Sequence, residues 1–152
     1  MNLKKAPLLL LALALPDDFT HVEHLSLSNN PSLSQLPAVL HERLPWLRRL
    51  LLSKCRFNSL PRLANPGRLT WLDLDNNRIT WDYRAQASLN QCSGLVVLDL
   101  SGNPLLEAPD LNGLDHLKTL FLSECGLTEL PLGLDVVTEP LVLDLSGNQF
   151  QR

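Results

Sequence analysis

Aromatic residues make up only 5% of the 152 residues, methionine occurs once and cysteine three times. Each scarcity excludes something. Cys55, Cys92 and Cys125 are odd in number and widely spaced, with no Cys-x-x-Cys pair, so neither a disulfide framework nor a zinc site is indicated. No Asn-x-Ser/Thr sequon is present, because Asn30-Pro31-Ser32 is blocked by its proline. A cationic excess is missing too. The formal net charge is −3, whereas nucleic-acid and anionic-membrane binders need a positive surface. The apolar run Leu8 to Leu15 is far too short to span a bilayer.

Residues 1–16, "MNLKKAPLLLLALALP", read in two ways. A dibasic start, that apolar run and the Ala12-Leu13-Ala14 triplet outline a secretory signal peptide. The same residues would also serve as an apolar cap over the start of the folded core. A cap is compatible with a cytoplasmic protein, a signal with a secreted or translocated bacterial one.

What the chain has in abundance is leucine, and it recurs in one frame, L-x-x-L-x-L-x-x-N/C. The frame occurs as "VEHLSLSNN", "LRRLLLSKC", "LTWLDLDNN", "LVVLDLSGN", "LKTLFLSEC" and "PLVLDLSGN". Its ninth letters, Asn30, Cys55, Asn77, Asn103, Cys125 and Asn148, are spaced by 25, 22, 26, 22 and 23 residues. The fourth and sixth letters alternate with polar ones, the period of a short half-buried strand. Leu25/Leu27, Leu50/Leu52, Leu72/Leu74, Leu98/Leu100, Leu120/Leu122 and Leu143/Leu145 are therefore expected to point inward. The ninth letters form a structural ladder in which a buried amide satisfies backbone groups that would be costly to leave unpaired.

Further apolar anchors come after each rung: Leu33, Phe57, Ile79, Leu105, Leu127 and Phe150. Leu-Pro and Ala-Pro pairs mark extended or helix-starting segments on the outer side. Two coils have room for a helix. In "DYRAQASLNQCSG", Asp82 is the expected N-cap, Ala85, Leu89 and Cys92 share a face, and Gly94 is expected to stop the helix. The other runs from Pro37 to Leu44, with Val39, Leu40 and Leu44 inward.

Repeats of this wording and period resemble the leucine-rich-repeat family over residues 17–152. The resemblance implies an α/β fold: a right-handed β/α solenoid with a parallel concave sheet of about six strands. Within it, Cys55 and Cys125 share a rung column three coils apart, about 14 Å at about 4.8 Å per strand, too far for a disulfide.

Constellations with chemical promise fail in turn. "DLDNN", Asp73 to Asn77, starts like a calcium loop, but its sixth position is Arg78 and its twelfth Arg84 where glycine and glutamate are needed. His21 and His24 have no third ligand at metal spacing. Serine recurs at the seventh letter and aspartate at the fifth, yet no histidine shares those columns to act as a base. The expectation is no catalytic residue, no metal site and no cofactor.

What remains is the exposed sheet face, letters three, five and seven. Leu51 and Phe121 replace the usual polar fifth letter, and Trp71 stands beside Arg49 of the preceding coil, close to Asp73 and Asp75. Tryptophan, arginine, apolar and acidic residues on one surface have the composition of a protein-recognition hot spot. Arg49, Leu51, Trp71, Asp73, Asp75 and Phe121 are the expected partner-binding residues, the partner a protein and not a nucleic acid. Arg43, Arg48, Arg49, Lys54 and Arg56 make the second coil locally basic and suited to an acidic partner. Six such strands project only about 400 Å², against about 800 Å² per partner in a standard interface, so rim loops or further coils are expected to contribute.

Among leucine-rich-repeat proteins, "FTHVEHLSLSNNP" and "LDLSGNPLLEAPDLNGLDHLKTLFLSECGLTELPLGL" look most like the repeats of bacterial effector ubiquitin ligases. That resemblance implies a target-selecting role. The ligases' Cys-x-Asp nucleophile is absent here, since the cysteines read Cys55-Arg-Phe, Cys92-Ser-Gly and Cys125-Gly-Leu. Ligase activity is therefore not carried over. The last coil ends in an uncovered strand edge, expected to reflect a fragment of a longer protein or to pair with a partner or with itself.

Overall fold

A computed structural model of the chain describes residues 21–136 and 141–151. The N-terminal segment expected as a cap or leader lies outside them, as do Pro140 and the side chain of Val39. Six three-residue strands occur: β1 (His24–Ser26), β2 (Arg49–Leu51), β3 (Trp71–Asp73), β4 (Val97–Asp99), β5 (Thr119–Phe121) and β6 (Val142–Asp144). They pair in chain order, all parallel, in one open sheet. Register is invariant. Leu25, Leu50, Leu72, Leu98, Leu120 and Leu143 align in one column, so each frame letter meets the same letter of the next coil.

Side chains alternate across a strand, and here the leucines take the inner face. Leu25, Leu27, Leu50, Leu52, Leu72, Leu74, Leu98, Leu100, Leu120 and Leu122 are all at most 2% exposed. Burying a leucine contributes about 1.5–3 kcal/mol, so the stacked coils form one continuous core. Leu33, Phe57, Ile79, Leu105 and Leu127 extend it. On the last described coil the expectation fails: Leu143 is 37% exposed and Leu145 half-buried. No described coil lies beyond β6 to cover these two leucines.

Beyond the strands the ladder continues. The eighth-letter N–H donates to the seventh-letter carbonyl of the next coil, as from Asn29 to Ser53, Lys54 to Asp75 and Asn76 to Ser101. Each coil then turns through left-handed backbone at that eighth letter, with φ from 53° to 71° at Asn29, Lys54, Asn76, Gly102, Glu124 and Gly147. Asparagine and glycine enter this region readily; Lys54 and Glu124 do so at a cost of about 1 kcal/mol each.

The ninth-letter amides bond to backbone groups of their own coil and of the preceding one. Asn103 Nδ2 donates to Leu74 O at 2.8 Å and Leu100 O at 2.9 Å, while its Oδ1 accepts from Ile79 N at 3.0 Å. Asn77 makes the same set with Leu52 O, Leu74 O and Phe57 N. Asn148 repeats it with Leu122 O, Leu145 O and Leu127 N. Cys55 and Cys125 reach the preceding coil's carbonyl through Sγ, to Leu27 O at 3.3 Å and Leu100 O at 3.2 Å. Sulfur offers no reach-back acceptor, and the preceding coils close on themselves instead: Leu33 N donates to Asn30 O and Leu105 N to Asn103 O. The backbone thus replaces the missing amide oxygen.

On the outer side lie α1 (Ala38–Arg43) and α2 (Tyr83–Gln91). Asp82 caps α2, accepting from Arg84 N at 3.0 Å and Ala85 N at 2.9 Å. Ala85, Leu89 and Cys92 are buried beneath it, and Leu40 and Leu44 beneath α1. Gly94 does not stop α2. The helix already ends at Cys92, whose φ is −88°. Glycine is needed at 94 because a Cβ there would stand 2.7 Å from the Gly67 carbonyl oxygen of the preceding coil.

Candidate functional site

Register brings the exposed letters into three columns on the sheet's open face. The third-letter column pairs Arg49 with Trp71, and the guanidinium carbon lies 4.0 Å from the centre of the indole ring. Arg49 Nε is covered and has no hydrogen-bond partner. In the fifth-letter column, Leu51 pairs with Asp73, Asp73 with Asp99, and Asp99 with Phe121. Leu51 and Phe121 are therefore three strand spacings apart, about 14 Å. Arg49, Leu51, Trp71, Asp73 and Asp75 come together on coils two and three; Phe121 stands apart, with Asp99 between. All six side chains are half-buried.

Between the apolar positions the carboxylates converge. Asp73, Asp75 and Asp99 each offer an oxygen, all within 4.8 Å of one another. Sequence reasoning placed Asp73 and Asp75 on the partner-binding face but did not join Asp99 to them. The available signal was an Asp-x-Asp pair at letters five and seven of one coil beside an aspartate at letter five of the next. Asp73 Oδ1 accepts from Asp75 N at 3.1 Å, Asp99 Oδ1 from Ser101 N at 2.9 Å, and Asp75 Oδ2 from Asn76 Nδ2 at 2.8 Å.

Their protonation separates. Burial, a shared proton with the Asp75 carboxylate and the charges of Asp75 and Asp99 push Asp73 up to about 8. Burial also acts on Asp75, but hydrogen bonds from Asp73, Ser53 and Asn76 and the charge of Lys54 outweigh it and hold Asp75 below the usual carboxylate range. Burial raises Asp99, aided by the charges of Asp75 and Asp144 against hydrogen bonds from Ser101. These three carboxylates are the group best placed to hold a cation among the described residues. The three cysteines are buried and free, and burial raises each of their pKa values, Cys92 and Cys125 to about 11. Such thiols are poor nucleophiles at neutral pH.

A second arginine–tryptophan stack spans the same two coils and was missed from sequence. Arg68 Cζ lies 4.1 Å from the centre of the Trp46 ring. The loops bearing them are tied by Asn65 Nδ2, which donates to Pro45 O at 2.7 Å. Coil two carries Trp46-x-x-Arg49 and coil three Arg68-x-x-Trp71, so stacking in register needs opposite orders in the two coils. That reversed wording was the signal.

Similarity to known proteins agrees with this geometry. The Leucine Rich Repeat family profile matches residues 94–114. The functional domain of InlJ from Listeria monocytogenes is similar in structure, with a TM-score of 0.68 and 24% identity over 86% of this chain and 26% of that one. The fold is a leucine-rich-repeat solenoid. The internalin InlF from Listeria monocytogenes gives a TM-score of 0.62 at 22% identity, covering 88% of this chain and 44% of that one. The TLR13–ssRNA13 complex gives 0.51 at 23% identity, covering 85% and 25%. The chain thus spans less than half the length of each of these structures. No curated protein is significantly similar in sequence. No helix among the described residues is long and apolar enough to cross a membrane.

Proposed function

We propose that this solenoid is a non-catalytic interaction module that binds a protein partner on the concave sheet face. One observation carries the reading: Arg49 stacked on Trp71, directly beside Leu51 and the carboxylates of Asp73 and Asp75. A planar aromatic anchor, a pre-oriented guanidinium and flanking acids provide the contacts that dominate protein interfaces. Phe121 would meet a partner long enough to cross Asp99. Trp71→Ala is expected to weaken capture of the natural partner about tenfold or more while leaving the circular dichroism spectrum unchanged. Unaltered capture would remove the reading. Light scattering on the same samples separates binding to a partner from self-association through β6, where Val142 is 60% exposed.

A second reading makes the repeats the target-selecting part of an effector ubiquitin ligase. Its support is the wording of the repeats alone; InlJ, the internalin InlF and the TLR13 complex add none. Ubiquitin transfer by a longer protein joining these repeats to a Cys-x-Asp segment would support it. A coding sequence without such a segment would end it.

A further inference from the structure

Both arginine–tryptophan stacks lie across the same coil boundary. Arg49 and Trp46 belong to coil two, Trp71 and Arg68 to coil three, and each guanidinium covers the ring of the other coil. Trp46 and Arg68 stand three positions before Arg49 and Trp71 in their coils, so the second stack sits at the loops leading into the strands that carry the first. Arg48, whose side chain is exposed, lies between Trp46 and Arg49 in the chain. Among the described residues no carboxylate forms an ion pair with Arg48, Arg49 or Arg68, and Trp46 is 49% exposed.

A stacked guanidinium is held flat by the ring while its N–H edges remain in plane, the geometry that takes a carboxylate through two parallel hydrogen bonds. The fold spends no internal charge on these groups, and an exposed indole alongside them offers apolar contact to the same ligand. Resting on the concave-face reading, we infer that coils two and three bind an acidic segment of a protein partner, its carboxylates lying along the two stacks. A peptide fits better than a nucleic acid. Just past β3 stands Asp75, whose carboxylate stays ionised and would repel a continuous phosphate backbone but spare a peptide whose acidic stretch ends at Arg49.

The test uses fluorescence anisotropy with three labelled probes of equal length: a glutamate–leucine peptide, a lysine–leucine peptide and a single-stranded RNA. The glutamate peptide is expected to bind, more weakly as salt rises, and about tenfold more weakly to Arg68→Glu or Arg48→Glu. Arg84→Glu, the same charge change on the outer helix, is expected to leave binding unaltered. Both arginines are exposed, so the variants should fold, as circular dichroism will verify. Preference for the lysine peptide or the RNA, no binding of the glutamate peptide, or equal loss in Arg84→Glu would each overturn the inference. If no probe binds yet Trp71→Ala still abolishes partner capture, the acidic segment falls and the interaction face stands. If the glutamate peptide binds through Arg68 while Trp71→Ala leaves capture intact, the reverse holds.

Discussion

Asp73 shows what one residue gains from its column. As a letter it is the commonplace aspartate of a repeat; in place it faces two further carboxylates on a surface half closed to water, and its pKa rises to about 8. The folded state therefore binds a proton that the unfolded chain releases near the ordinary value of 3.8. With more protons on the folded form, stability falls as pH rises through that interval. Solvent screening at this partly exposed site keeps the effect on the order of 1 kcal/mol. Asp73→Asn retains the oxygen that accepts from Asp75 N and removes the titration. The variant is expected to melt higher than the parent at pH 9 and alike at pH 4, with a flatter profile between them. Thermal melts at several pH values check this, and a parallel pair of profiles would refute it. Asp75, whose pKa is depressed, works the other way and contributes only to loss of stability in acid.

At the scale of an element, α2 illustrates which signals transfer from sequence to structure. Its start is set by local chemistry, a carboxylate accepting from the first turn's N–H groups, and Asp82 does so. Its buried stripe also comes from spacing. Its end does not, because what Gly94 avoids is a carbonyl contributed by another coil. Gly94→Ala would bring a methyl group to 2.7 Å from backbone that cannot swing aside, and overpacking of this kind costs about 1–3 kcal/mol. Were glycine there only to relax the helix end, the substitution would be neutral or slightly stabilising. Urea denaturation separates the two outcomes.

For the whole molecule, the repeat architecture makes position along the solenoid matter as much as residue type. Leu98 and Leu143 occupy the same letter and the same column, yet Leu98 is fully buried and Leu143 is 37% exposed. Leu98→Ala is expected to cost about 2–5 kcal/mol and Leu143→Ala well under half of that. Equal losses would mean that something covers β6 in solution, and a light-scattering mass would then show whether it is a second copy. The same dependence on neighbours explains the cysteine rungs, where the preceding coil closes its own turn because the next one has no oxygen to lend.

The sequence by itself determined the coil, its six repetitions, its inward leucines and the ladder at each ninth letter, because those depend on a period and on chemistry within one coil or between identical letters. It also named Arg49 and Trp71 as neighbours, since equal letters on adjacent strands must meet. The tertiary structure decided which level residues reach one another: that Asp75 at letter seven closes on Asp73 and Asp99 at letter five, and that the Arg68 guanidinium lies over the Trp46 ring. Side-chain direction, loop path and the local dielectric set those distances, and none of the three is written in a repeat's wording.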